Sequence, residues 1–246
     1  MKKILWKGFP KNFVPGFPCP SCPSSTLRYS KDLFRSRRPR NPSFDDYEQN
    51  PSDFPEVFTM LLQCPKCNEV VAVLGSSTEY PEEGNDGVEY HDYLEPKYMW
   101  PAPPIINLDK RVPETVKAEI KLAFHLFWVD YGVCASRLRT SLERLTDHFG
   151  IAKTRIQRRN PNGPGKRVPL ELAPRIDKLP SKIGTRDYSE ILHALRTVGN
   201  LGTHGKKLPR DAILDAFKLY EMALDRLFED ESETAKAIIK HLKIHK

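Results

Sequence analysis

The sequence predicts an α+β protein in which a small β-rich module precedes a mainly α-helical bundle. Four of the five cysteines stand in two C-x-x-C pairs, both in the N-terminal part of the chain. The same region holds runs rich in β-branched and apolar residues, "VFTMLLQC" from Val57 to Cys64 and "EVVAVLGSSTEY" from Glu69 to Tyr80. Such runs suit half-buried strands. Beyond Pro113 the apolar period changes to three or four residues, the period of a helix. These shifts set the expected boundaries at 1–100, for a β-rich module with a basic insertion and a proline-rich connector, and 101–246 for the helices.

Taken in order, "STLRYS" offers a further short strand, and "EPKYMWPAPPIINLDKRVP" reads as an extended connector because of its prolines. Val116, Ile120, Ala123 and Phe127 then mark a first helical stripe, with Pro113 suited to the opening turn. Leu138, Leu142, Leu145 and Phe149 mark a second. A short third helix fits "LELAPRIDKL", restricted by Pro174, and a fourth runs through "DYSEILHALRTVG". The longest carries Ile213, Phe217, Tyr220, Leu224 and Leu227 on one side, and "ETAKAIIKHLK" offers a tail helix. The sum is a bundle.

A net charge of +7 and a pI near 9.1 favour a polyanionic partner, usually nucleic acid. No apolar run approaches the ~20 residues a membrane span needs; the densest is "FHLFWV". The N-terminus lacks the sustained apolar core of a secretory signal, so a cytoplasmic protein is expected. No phosphate-cradling Walker loop, H-E-x-x-H or G-x-S-x-G elbow is present.

Cys19 and Cys22 in "FPCPSCPSS", with Cys64 and Cys67 in "LLQCPKCNEV", supply the two knuckles of a zinc ribbon. Only the two turns need to converge, so the long insertion between them is tolerated. Four thiolates leave a Zn²⁺ ion no open position, which makes the expected ion structural and excludes metal catalysis there. A thioredoxin-like redox site would need one such pair in a βαβ setting, and neither pair has it. Cys134 opens an apolar helix face and reads as a small core residue.

Two basic stretches are candidate phosphate contacts. Arg35, Arg37, Arg38 and Arg40 form either a solvated loop or an arm beside the ribbon. Arg155, Arg158, Arg159, Lys166 and Arg167 flank "NPNGPG", whose turn residues predict an irregular loop that either contacts phosphate or orders only on binding.

"ALRTVGNLGTHG" sets Arg196, Asn200 and His204 four residues apart, hence on one helical face. Arginine holds a phosphate and histidine moves protons near neutral pH, the minimum set for cleaving RNA without a metal. The competing reading is a helix stop, with Gly199 and Asn200 as its C-cap, and spacing alone favours that stop.

The order of ribbon, proline-rich connector, "ASRLRTSLERL" and then "LRTVGNLGTHG" resembles an uncharacterised bacterial helical domain found with zinc ribbons, restriction enzymes and defence genes. That domain is grouped with the HEPN superfamily of helical nucleotide-binding proteins and ribonucleases. The resemblance covers roughly 100–230 plus the ribbon. It implies a HEPN-like bundle that binds RNA, working as a homodimer whose paired motifs line one cleft. It also implies a metal-independent endoribonuclease with His204 as the histidine. Arg196 lies further upstream than that motif has its arginine and Asn200 stands nearer the usual place, so Arg137 or Arg139 on the preceding helix is expected to supply a cation. A role in antiviral defence or a toxin-like system follows. The alternative is a non-catalytic nucleic-acid-binding, scaffold or sensor subunit among other protein subunits of a defence or restriction complex.

Overall fold

A computed structural model describes residues 3–22, 25–29, 31–38, 55–84, 87–158, 164–179, 186–203 and 207–228. Its first half is built on a six-stranded antiparallel sheet of β1 (Phe9–Pro10), β2 (Arg28–Tyr29), β3 (Arg35–Arg37), β4 (Glu56–Gln63), β5 (Val70–Gly84) and β6 (Gly87–Trp100). The strand order is β1-β6-β5-β4-β2, and β3 shares the edge of β4 with β2. Strict alternation along β4 explains the layering: Phe58, Met60 and Leu62 are buried while Val57, Thr59 and Leu61 face out. Val71, Val73, Leu94 and Met99 join the same inner face.

The start of the predicted connector is strand, since β6 runs through "EPKYMW" to Trp100. Only Leu94, Pro96 and Met99 of β6 are buried, and the register shifts between Leu74 and Gly75 on its partner. A bulge of this kind breaks the period of two and hides the strand from a pattern search.

The second half contains α1 (Glu114–Leu126), α2 (Tyr131–His148), α3 (Leu172–Ile176), α4 (Arg186–Thr203) and α5 (Arg210–Phe228), with a hairpin of β7 (Thr154–Arg158) and β8 (Gly165–Pro169) after α2. The predicted stripes face the core: Val116, Ile120, Ala123, Leu138, Leu142, Leu145, Ile213, Phe217, Tyr220, Leu224 and Leu227 are all buried. The Asp130 carboxylate caps α2, accepting from the Val133 N–H at 2.8 Å. α3 is a single short turn around Pro174. The expected tail helix lies outside the described residues. Among these residues no helix is long and apolar enough to cross a membrane.

The stretch predicted to be an irregular loop forms the β7–β8 hairpin instead, with Arg155 opposite Val168 and Ile156 opposite Arg167. A turn-rich centre is what two antiparallel strands need between them. The strands escaped notice because nearly every residue in them is exposed.

The two halves share one core. Trp6 packs on Phe17 at 5.8 Å, on Trp128 at 6.0 Å and edge-on to Phe127 at 6.2 Å between ring centroids. Edge-to-face pairs of this sort add to the gain from burial alone. The segment between sheet and bundle is pinned from the other side, where the Asn107 N–H donates to the Glu221 carboxylate of α5 at 2.9 Å.

α2 and α4 cross without side chains between them at one point. A Cβ on Gly202 would lie 2.4 Å from the carbonyl oxygen of Gly132, and one on Gly199 would lie 2.4 Å from Cβ of Arg139. Neither clash is relieved by a rotamer change, because the neighbours are backbone and a β-carbon. Gly202→Ala therefore sets overpacking of ~1–3 kcal/mol against a helix-propensity gain of about 1 kcal/mol. Thermal melting is expected to show a lower Tm for Gly202→Ala, and an equal or higher Tm would contradict the close crossing.

Candidate functional site

The four paired cysteines converge. Cys19 and Cys22 sit in the turn before β2, where the Cys19 N–H donates to Ser25 O at 2.9 Å and the Ser25 N–H to Cys22 O at 3.0 Å. Cys64 and Cys67 sit in the β4–β5 turn, closed by Cys64 N–H to Glu69 O at 2.8 Å and Asn68 N–H to Cys64 O at 3.0 Å. Asn68 takes the left-handed conformation, φ 60°, that this tight turn needs. Backbone N–H groups of Cys22 and Lys66 point at the sulfurs of Cys19 and Cys64, each at 3.4 Å.

The four sulfurs all lie within 4.8 Å of one another, with Cys22 at 3.3 Å from both Cys64 and Cys67 and Cys19 at 3.6 Å from Cys67. Metal–sulfur bonds of ~2.3 Å in a tetrahedron require sulfur–sulfur edges of about 3.8 Å. The cluster therefore fits a four-sulfur metal site. Burial pushes the Cys64 thiol up, but hydrogen bonds from the Ser25 side chain and from the Cys67 and Lys66 backbone outweigh it and bring the thiol down to about 5. Contact with the Cys64 and Cys67 sulfurs pushes the Cys22 thiol the opposite way. Cys134 stands apart, fully buried, with its thiol donating to Ala123 O at 3.2 Å.

At the α2–α4 crossing a polar seam runs along the helices. The Arg139 Nε donates to Asn200 Oδ1 at 2.8 Å, and its Nη1 donates to Glu143 Oε1 at 2.7 Å. Next along, the hydroxyls of Ser136 and Thr203 lie 3.2 Å apart. Arg137 turns away to Glu119 on α1, at 3.3 Å. Of the two arginines expected to supply a cation, Arg139 is the one delivered to Asn200. Arg196 Nε is buried, with no hydrogen-bond partner among the described residues. His204 lies outside the described residues.

The helix-stop reading is corrected here. α4 continues through Gly199, Asn200 and Gly202 to Thr203, so neither Gly199 nor Asn200 is a C-cap. The glycines serve the crossing with α2 instead. Glu143 was missed by sequence reasoning, although its place four residues after Arg139 was a visible ion-pair spacing.

The basic candidates separate into two surfaces. Arg35 and Arg37 alternate along β3, exposed, while Arg38 lies 3.5 Å from Glu56. Arg155 shares one face of the β7–β8 hairpin with Lys166, and Arg158 shares the other with Arg167. Arg40 and Arg159 lie outside the described residues.

Elemental analysis of the purified chain is expected to find one metal ion per chain, and Cys22→Ser or Cys64→Ser to lower both metal content and Tm. A metal-free chain that melts unchanged after either substitution would contradict the site.

The description "Domain of unknown function (DUF4145)" matches residues 121–243, and "Domain of unknown function (DUF8608)" matches residues 7–99. Neither a curated protein nor a solved structure matches the chain. The first match takes in α2, α4, α5 and the seam between them, and it spans half of the 246 residues. The chain belongs to the DUF4145 family.

Proposed function

We propose that this protein acts on RNA, with a phosphodiester-handling site at the α2–α4 seam and a structural Zn²⁺ on Cys19, Cys22, Cys64 and Cys67. The observation that carries the reading is the delivery of Arg139 to Asn200 at 2.8 Å, four residues before His204 in the sequence. A permanent cation thereby stands against Asn200, the residue nearer the place where the resemblance has its arginine. Arg139 and Arg196 hold the phosphate and stabilise the charge that builds on it. His204 moves the proton: the 2′-oxygen bonds to phosphorus, the bond to the 5′-oxygen breaks, and the 2′-OH proton passes by way of His204 to the leaving oxygen. Four thiolates fill the zinc shell, so the metal takes no part in this chemistry.

The resemblance to HEPN proteins supports a homodimer in a bacterial defence or toxin-like system. A second reading, a non-catalytic RNA-binding or scaffold subunit, is favoured by one specific observation. The Arg139 guanidinium is already engaged by both Asn200 and Glu143, as a helix tie would be.

Incubation of labelled RNA with the protein in EDTA separates the two. The catalytic reading expects products ending in a 2′,3′-cyclic phosphate, with cleavage lowered on the order of 100-fold or more by His204→Ala. RNA left intact by the unsubstituted protein, or cut equally by His204→Ala, would overturn it. RNA bound but uncut establishes the second reading.

A further inference from the structure

We infer that the outer face of the six-stranded sheet is a platform for single-stranded RNA, with Tyr98 and Trp100 stacking on bases and Arg28, Arg35 and Arg37 taking phosphates. This rests on the reading that the protein acts on RNA, and it names where and in what form the strand is held.

Residues opposed in a ladder share one face of a sheet. One row across the outer face is Arg35, Thr59, Leu74 and Tyr98, on β3, β4, β5 and β6 in turn. The row on one side of it is Leu61, Ala72 and Trp100, and the row on the other is Arg37, Val57, Ser76 and Glu95. Arg28 stands opposite Gln63 on the same face. These large side chains are in solvent: Trp100 is 60% exposed, Tyr98 and Leu74 are each 42%, and Leu61 is 36%. Between the arginines and the aromatics lies a shallow depression of about 150 Å³ that Leu33, Leu61 and Leu74 help to line.

Charge selects the occupant. Among the described residues Arg28 and Arg37 have no ion-pair partner, and Arg35 donates there only to the backbone oxygens of Asp32 and Phe34, at 2.9 and 2.7 Å. The acid in these rows, Glu95, is already tied to Lys97 at 2.6 Å. The face is therefore cationic along one edge and aromatic along the other, about 14 Å apart across three strand spacings. A polyanion with exposed rings satisfies both edges at once. A duplex keeps its rings stacked inside, whereas an unpaired strand can lay them on Tyr98 and Trp100.

The test is fluorescence anisotropy with a labelled single-stranded RNA octamer, using the full chain carrying His204→Ala so that the strand survives. Trp100→Ala is expected to weaken binding about tenfold, with Trp100→Phe restoring most of it and both variants melting as the parent does. Replacing Arg35 and Arg37 with alanine is expected to reduce the slope of log affinity against log salt by about 1.4. Absence of binding, affinity unmoved by Trp100→Ala, equal affinity for duplex, or a change in self-association alone would each overturn the inference. Binding that depends on Trp100 alongside uncut RNA in the unsubstituted protein supports the platform and removes only the catalytic step. Cleavage with binding indifferent to Trp100 does the reverse.

Discussion

The close crossing of α2 and α4 is the constraint on which the candidate site depends. Gly199 and Gly202 let α4 lie against Gly132 and Ala135 with no side chain between the backbones. That approach sets Arg139 within 2.8 Å of Asn200 and Ser136 within 3.2 Å of Thr203. A helix pair held apart by ordinary side chains, at the usual 8–10 Å or more between axes, would leave short residues such as Asn200 and Ser136 without their partners. The same glycines weaken α4 as an isolated helix by about 1 kcal/mol each. Packing against α2 offsets that weakness, so the local defect and the tertiary contact explain each other.

The second structural fact with functional weight is the aromatic joint. Trp6 and Phe17 from the sheet half enclose one side of Phe127 and Trp128, which lead from α1 toward α2. The sheet thus packs inward through Phe58, Met60, Leu62 and Met99, and outward it is left with Tyr98 and Trp100 in solvent. The four-cysteine cluster joins the turn before β2 to the β4–β5 turn.

Much of this was legible in the chain itself, for physical reasons that also mark where legibility ended. Two C-x-x-C turns point to a four-sulfur cluster by chemistry, and the long insertion between them does not blur the signal. Stripes such as Ile213, Phe217, Tyr220 and Leu224 identify a helix because one face is buried along its whole length. β6 was illegible because a bulge on its partner breaks alternation and most of its side chains face solvent. The β7–β8 hairpin was missed for a related reason, having no buried face to produce a pattern. Gly199 points the wrong way in the sequence, because a glycine that ends a helix and one that admits a second helix look the same until the partner is known. The sequence offers Arg137 and Arg139 alike, and the choice of Arg139 for Asn200 is a property of the crossing and not of its neighbours in sequence.

The central claim is that RNA is held on the outer sheet face and handled at the α2–α4 seam. Ultraviolet crosslinking of a uridine-rich single strand to the intact protein, with mass spectrometry of the crosslinked peptides, tests it most directly. Crosslinks are predicted on the β6 peptide containing Tyr98 and Trp100, with others on the α4 peptide containing Asn200. Crosslinks confined to the β7–β8 hairpin, or none at all, would contradict the account.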